Sequence, residues 1–472
     1  MDANVTPGRG QWGSKIGFIL AAAGSAVGLG NLWKFPFLAG QNGGGAFVLV
    51  YFVILLVVGF TLMMAEITIG RHTQLNAIGA YRKIKPSWGW VGSLGVLAGF
   101  LILSFYSVIG GWIIAYIVKA ATGTFNTSDV KMLGDMFTQF IQSAGTPIFY
   151  HGLFMLMTLG IVIGGIQQGI EKYSKILMPA LFVMIVLVMI RSLTLDGAMA
   201  GVKFFLNPDF SKITGTVILS ALGQVFFSLS LGMGCMITYG SYLSKDTNIP
   251  ECSLYIPLID TAVALLAGLA ILPAVFAFNF PADAGPGLLF ITLPAVFSKM
   301  PMGGLMGVVF FTLALFAAVT SSISLLEVCV SYVVDEWKWT RKKATVIIAT
   351  LIFLMGIPCS LSQGPWSEIK LIKGKCILDS VDFIASNVLL PLGGILLCIF
   401  IAWVWGLRRV QKISKTDEGK TIITWALEYT DALKEITNDG QVNFALAPIW
   451  VFLIKWLAPV AITIVFIQGI FS

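Results

Sequence analysis

Eleven apolar runs, each long enough to cross a bilayer, limit what this chain can fold into. They cover approximately residues 16–38, 46–70, 90–118, 148–168, 173–193, 214–243, 254–281, 303–334, 341–361, 377–406 and 446–470. A membrane-crossing helix needs about 20 such residues. In lipid every backbone polar group must be satisfied internally, which leaves helices or closed barrels. Runs of this length read as helices, so the expected fold is an all-α polytopic membrane protein with 11 transmembrane helices. Composition excludes soluble classes: 57% of the 472 residues are hydrophobic and 11% charged, against about 25% charged in soluble domains. The first run passes directly into further runs, so it does not read as a cleavable signal.

Lysine and arginine set the orientation. With the N-terminus inside, the cytoplasmic segments and adjoining run ends hold nineteen of them and the outer ones nine, while Lys34 and Lys455 lie deeper within runs. Eleven spans then put the C-terminus outside, in a cell inner (plasma) membrane. The +7 net charge is a property of these loops and does not point to nucleic acid. A polar stretch, 407–444, precedes the last run, and its 428–437 part reads as a surface helix.

Two runs are interrupted where a stable helix would not be. The first carries Gly24-Ser25-Ala26-Val27-Gly28-Leu29-Gly30-Asn31 and the sixth Phe227-Ser228-Leu229-Ser230-Leu231-Gly232-Met233-Gly234. Each glycine costs about 1 kcal/mol relative to alanine within a helix. Breaks at positions one and six suggest two inverted five-helix repeats with discontinuous helices 1 and 6. Half-helix ends then face an anionic group and free carbonyls a cation. The expected division is a cytoplasmic N-terminal gate segment (1–15), a first repeat (16–193), a second inverted repeat (214–406), and a cytoplasmic linker with the eleventh helix (407–472).

Ionisable groups within spans are costly and need a reason. The candidates are Lys34, Glu66, Asp260, Glu327 and Asp382. Lys34 and Asp382 either pair as an outer gate or snorkel separately to the interface. Asp260, with apolar sequence on both sides, either caps a local turn or ligates a cation. The hydroxyls of Thr320-Ser321-Ser322 either bond back along their helix or join free carbonyls in an oxygen cage for a hard cation. The Tyr106 hydroxyl needs a partner, either a substrate carboxylate or a neighbouring carbonyl. Only His72 and His151 are present, too few for a histidine metal site, and the six cysteines show no paired spacing. A Cys359–Cys376 bridge is the one pairing considered. No Ser/His or Cys/His constellation, HExxH or phosphate loop is found, so no enzyme is expected.

The chain resembles the neurotransmitter:sodium symporters, and most closely their bacterial multi-hydrophobic amino-acid transporters. The carrying motifs are Gly24 to Pro36, Asn42-Gly43-Gly44-Gly45-Ala46-Phe47, Phe227 to Gly234, Thr320-Ser321-Ser322-Ile323-Ser324 and Leu378-Asp379-Ser380-Val381-Asp382-Phe383, in order along almost the whole chain. The resemblance implies two Na⁺ sites. One takes Ala26, Asn31, Ser228, Asp260 and the substrate carboxylate. The other takes Gly24, Val27, Ala317, Thr320 and Ser321. It also implies a substrate site of Ala26, Leu29, Gly30, Ile102, Tyr106, Phe227, Ser228, Ser230, Met233, Ser321 and Leu325. Arg9, Trp12, Tyr242 and Asp335 resemble an inner gate, and Lys34 and Asp382 an outer one. Glu66 is expected to brace both unwound stretches. Gly169 and Pro179 resemble a motif that unwinds the fifth span.

Three departures from the family pattern carry information. Lys34 stands where an arginine is typical, and lysine lacks the bidentate fork. Asp260 aligns, across a one-residue gap, where asparagine is common. Its fixed negative charge implies chloride independence. Met233 replaces a bulkier aromatic, leaving room for a large side chain. The expected function is sodium-coupled import of hydrophobic or aromatic L-amino acids by alternating access, within the lipid bilayer. The alternative is a non-transporting membrane receptor or sensor for an amino acid.

Overall fold

The computed structural model describes residues 10–125, 127–281, 287–407, 409–415, 421–427 and 430–471. Among them, nine helices are long and apolar enough to cross a membrane. They are Gly45–Thr73, Pro86–Ala121, Gly145–Val162, Ile166–Leu193, Ile249–Ala277, Gly303–Trp337, Arg341–Leu361, Ile377–Val404 and Ala447–Phe471. A tenth crossing is the bent pair Lys15–Ala26 and Gly30–Gln41, with 53° between its halves. The sixth run divides into Gly215–Ser228 and Cys235–Gly240, each too short to cross alone. The chain is a multi-pass, helical membrane protein.

Both interruptions have local causes. The first helix ends at Ala26, where Val27 turns extended at ψ 105°. The next free amide, Gly28, donates to the Asn31 side chain at 3.0 Å. A π-helical turn, Gly30–Lys34, restarts the helix. A side chain at Gly28 would crowd the site, since a Cβ would lie 2.6 Å from Ser321 Oγ and 3.0 Å from the Tyr106 hydroxyl. In the sixth run Ser230, Gly232 and Gly234 all take positive φ, at 54°, 78° and 72°. Two of these three positions are glycines, which enter that region without a Cβ penalty. The Gly232 amide, free of the helix, donates to buried Glu66 at 2.7 Å.

The breaks face one another inside a dense helical scaffold. The long helices Gly303–Trp337 and Pro86–Ala121 pack along much of their length and bury Ile102, Tyr106, Thr320 and Ser321 between them and the breaks. The last helix is tied in by Trp450, fully buried, whose indole donates to the Thr61 carbonyl at 3.1 Å.

Apolar runs do not reveal the helices in the connections. Val130–Gln142, Ala198–Leu206 and Leu288–Ser298 form in connections on one side of the bundle. Phe137 of the first stacks on Phe290 of the third at 5.1 Å. The polar stretch before the last helix holds more than the expected surface helix. Strands Arg409–Lys415 and Thr421–Leu427 pair antiparallel, Arg409 opposite Leu427, and helix Asp431–Ile436 follows. The Glu428 end of the expected helix lies outside the described residues. All six cysteines are free thiols, so the Cys359–Cys376 bridge does not form. The Cys376 thiol instead donates to Asp379 at 3.2 Å.

Candidate functional site

Asp260 is fully buried, and three elements converge on its carboxylate. Asn31 donates at 2.7 Å from the first break. Ser228 reaches both carboxylate oxygens at 3.0 Å from the second. Tyr51 donates at 3.2 Å from the Gly45–Thr73 helix. Among the described residues no cationic side chain pairs with Asp260. Neutral hydrogen bonds stabilise a buried carboxylate but leave its charge uncompensated. The donor set is oxygen-rich, without thiolate or imidazole, which suits a hard cation. The local-turn reading of Asp260 does not describe these partners, which come from other helices.

A second oxygen cluster lies where the first break meets the Gly303–Trp337 helix. Ser321 Oγ is 3.4 Å from the Gly24 carbonyl and 3.2 Å from that of Val27. Thr320 donates to Phe316 and Ala317 carbonyls at 3.0 and 3.1 Å. Thr320 therefore bonds back along its own helix, while Ser321 reaches across. Ser322 departs from the cluster: it donates to Val319 and meets Thr158 at 2.7 Å.

Between the breaks is a small cavity. Every residue expected to meet the substrate lines it: Ala26, Leu29, Gly30, Ile102, Tyr106, Phe227, Ser228, Ser230, Met233, Ser321 and Leu325, together with Ser25 and Gly28. The Tyr106 hydroxyl accepts from the Leu29 amide at 3.3 Å, so its own proton is left to donate. Two bonds join the breaks directly. Ser230 donates to the Ser25 carbonyl at 2.8 Å and Gln224 to the Gly30 carbonyl at 3.0 Å.

Phe227 separates this cavity from an outer one of about 230 Å³ that Lys34, Gln224 and Asn387 help to line. The expected outer pair does not close. Lys34 Nζ sits 4.4 Å over the Phe227 ring, and Asp382 accepts from Ser386 at 2.7 Å. Lysine offers a single point charge and takes the aromatic face instead.

At the opposite end, Trp12 plugs the bundle. Its amide donates to the Tyr242 carbonyl at 3.2 Å and its indole to Tyr239 at 2.9 Å. The ring packs edge-on against Phe18, Tyr239 and Tyr242. The Tyr242 hydroxyl donates to Glu327 at 2.6 Å, and Arg341 pairs with the same carboxylate. Asp335 accepts from the Asn76 amide at 2.9 Å. Arg9 lies outside the described residues. Glu66 holds the second break through Gly232, while its other oxygen is buried without a partner and does not reach the first. The fifth crossing begins as a π-helical stretch, Ile166–Glu171, that includes Gly169, with Pro179 in the following helix.

A family model described as the sodium:neurotransmitter symporter family matches residues 9–133 and 125–433. The chain belongs to this family. It is therefore a transporter, not an enzyme. As a member of the sodium:neurotransmitter symporters it is 45% identical over 466 residues to YhdH, an uncharacterised sodium-dependent transporter of Bacillus subtilis, covering 98% of each chain. It is 36% identical over 477 residues to an uncharacterised sodium-dependent transporter of Haemophilus influenzae, again 98% of each. The crystal structure of MhsT in complex with L-phenylalanine matches with a TM-score of 0.85 and 43% identity, covering 98% of this chain and 100% of that one.

Four residues of this symporter's site escaped sequence reasoning: Tyr51, Gln224, Ser25 and Glu171. Tyr51 looks like packing in an apolar run, and only its contact with Asp260 reveals a role. Glu171 accepts from the Gly13 amide at 2.6 Å, the Ser14 hydroxyl at 2.9 Å and Lys175 at 2.6 Å, holding the Trp12 segment to the fifth crossing. A glutamate between loop and span gives no such signal by itself.

Proposed function

We propose that this symporter imports hydrophobic or aromatic L-amino acids, driven by sodium and independent of chloride, through alternating access. The observation that carries this reading is the cavity between two broken helices, with buried Asp260 beside it on neutral donors alone. One sodium takes the Ala26 carbonyl, Asn31, Ser228, Asp260 and the substrate carboxylate. A second takes the carbonyls of Gly24, Val27 and Ala317 with the hydroxyls of Thr320 and Ser321, which turn their lone pairs toward the ion.

The substrate carboxylate meets the Leu29 and Gly30 amides and the Tyr106 hydroxyl. Its ammonium meets carbonyls of Ala26, Phe227 and Ser228. The side chain lies among Ile102, Met233 and Leu325. The bound phenylalanine of MhsT, a 43% identical relative, supports an apolar or aromatic occupant. Sharing the substrate carboxylate makes sodium and amino acid bind cooperatively. The Asp260 charge does the work a chloride ion would otherwise do.

The protein sits in the inner membrane with its N-terminus cytoplasmic and its C-terminus outside. The repeats span 16–193 and 214–406, and eleven helices cross. Trp12, Tyr242 and Asp335 close the inner side. Phe227, with Lys34 over its ring, closes the outer side. At about 2.3 kcal/mol per charge per 100 mV, inward sodium drives accumulation. A receptor would use the same cavity without moving its ligand, but gates on both faces favour transport. Binding competition among all twenty amino acids, with and without sodium, tests the assignment. Large apolar and aromatic acids should compete only with sodium present. Sodium-independent binding, or preference for a charged amino acid, would overturn it.

A further inference from the structure

The helix Asp431–Ile436 docks against the inner ends of three crossings through one carboxylate. Glu435, 11% exposed, accepts from Arg71 Nε at 2.7 Å, from His72 Nδ1 at 3.2 Å and from Lys245 at 3.1 and 3.2 Å. Arg71, only 1% exposed, also donates to the backbone carbonyls of Glu435 and Thr247. Lys245 returns a bond to the Arg71 carbonyl at 2.9 Å.

Arg71 and His72 end the Gly45–Thr73 helix. Lys245 and Thr247 follow the inner half of the broken sixth helix. Asn248, next in sequence, caps the Ile249–Ala277 helix by accepting from Glu251 at 3.1 Å. Asn438, just beyond Glu435, donates to the Asp246 carbonyl at 3.1 Å. Asp246, Asp431, Lys434 and Asp439 line the same cleft.

Two of those crossings also supply Tyr51 and Asp260, whereas Ser228 lies beyond the break on the outer half of the sixth. Tyr51 lies twenty residues before Arg71 on a continuous helix, about 30 Å at 1.5 Å per residue. A helix moves as a rod, so freedom at its inner end displaces groups along its length. An ion cage tolerates only about 0.5 Å of such displacement. Removing the carboxylate would leave buried Arg71 without its ionic partner, a strongly unfavourable state that the inner ends relieve by separating.

We propose that Glu435 is a positioning residue for sodium binding, clamping the inner ends of the second, sixth and seventh crossings so that Tyr51 and Asp260, each on a helix continuous with a clamped end, stay in register. The proposal rests on the sodium reading of Asp260 given above. Its test uses the purified full chain without amino acid. Thermal unfolding is followed as sodium chloride replaces choline chloride at constant ionic strength.

Glu435→Gln should raise the sodium concentration for half-maximal stabilisation at least fivefold, and Glu435→Asp should recover most of the loss. An unchanged sodium midpoint in Glu435→Gln would overturn the proposal. If that variant does not fold, Lys245→Gln, which removes a more exposed partner, should raise the midpoint about twofold, and no change again overturns it. Absence of any sodium effect on the unmodified protein counts against the sodium reading. The clamp is then read from hydrogen exchange over residues 243–248, which should speed up in Glu435→Gln. Unchanged exchange rejects it.

Discussion

The side-chain amide of Asn31 lies 2.7 Å from Asp260 Oδ1, joining the first break to the seventh crossing over 229 residues of sequence. Asparagine presents an amide to the carboxylate and, from the same side chain, a carbonyl oxygen to the Gly28 amide at 3.0 Å. One residue thus both shapes the break and completes the Asp260 constellation. Asp260→Ala removes the charge and leaves Asn31, Ser228 and Tyr51 without their shared acceptor. Uptake of L-phenylalanine into proteoliposomes should fall to its sodium-free level. Retained sodium dependence would mean that the ion binds elsewhere.

Met233, 4% exposed, lines the cavity from the second break. A flexible thioether there adapts to large side chains. Met233→Phe stiffens and fills that wall. Tryptophan uptake should drop on the order of tenfold relative to alanine, the lower end of the discrimination that one methylene provides in an apolar pocket. An unaltered ratio would show that other residues set the pocket size.

Lys34 rests on the Phe227 ring rather than on Asp382. Lys34→Arg offers a planar fork that can hold the carboxylate and the ring edge together. The outer side should then open less readily, and bound L-phenylalanine should dissociate on the order of threefold more slowly, as befits a pair worth under about 1 kcal/mol. Stopped-flow release from the purified protein measures this. An equal rate would remove Lys34 from the gate.

Burial opposes ionisation of Glu435, yet His72, Arg71 and Lys245 outweigh it and hold the carboxyl at about 2, below its ordinary 4.5. A depressed native pKa stabilises fully above the ordinary value, and the gain is lost as pH falls toward the native one. The stability gap between the unmodified protein and Glu435→Gln should therefore persist from neutral pH down to 4.5 and close between 4.5 and about 2. Thermal unfolding across that range checks it. A gap that closes near neutral pH would contradict the ion-pair account.

Much of this molecule was legible because apolar runs and their interruptions are local signals. Clusters of glycine, serine and asparagine inside spans one and six marked the breaks. The family motifs brought with them the residues that line the cavity. What stayed hidden depends on partners far apart in sequence. Glu171 meets Gly13 across 158 residues and Glu435 meets Arg71 across 364. The helices Val130–Gln142 and Leu288–Ser298 are too short to stand out as spans and are held by contacts such as Phe137 with Phe290. The outer gate misled for a chemical reason: a family position was occupied, but by a cation that prefers a ring to a carboxylate at this geometry.

The central claim is sodium-coupled transport through the cavity beside Asp260. Its most direct test is concentrative uptake of L-phenylalanine by proteoliposomes under an inward sodium gradient with chloride replaced by gluconate. The account expects accumulation above the external concentration that collapses when a sodium ionophore dissipates the gradient. Binding without accumulation, or accumulation indifferent to sodium, would contradict it.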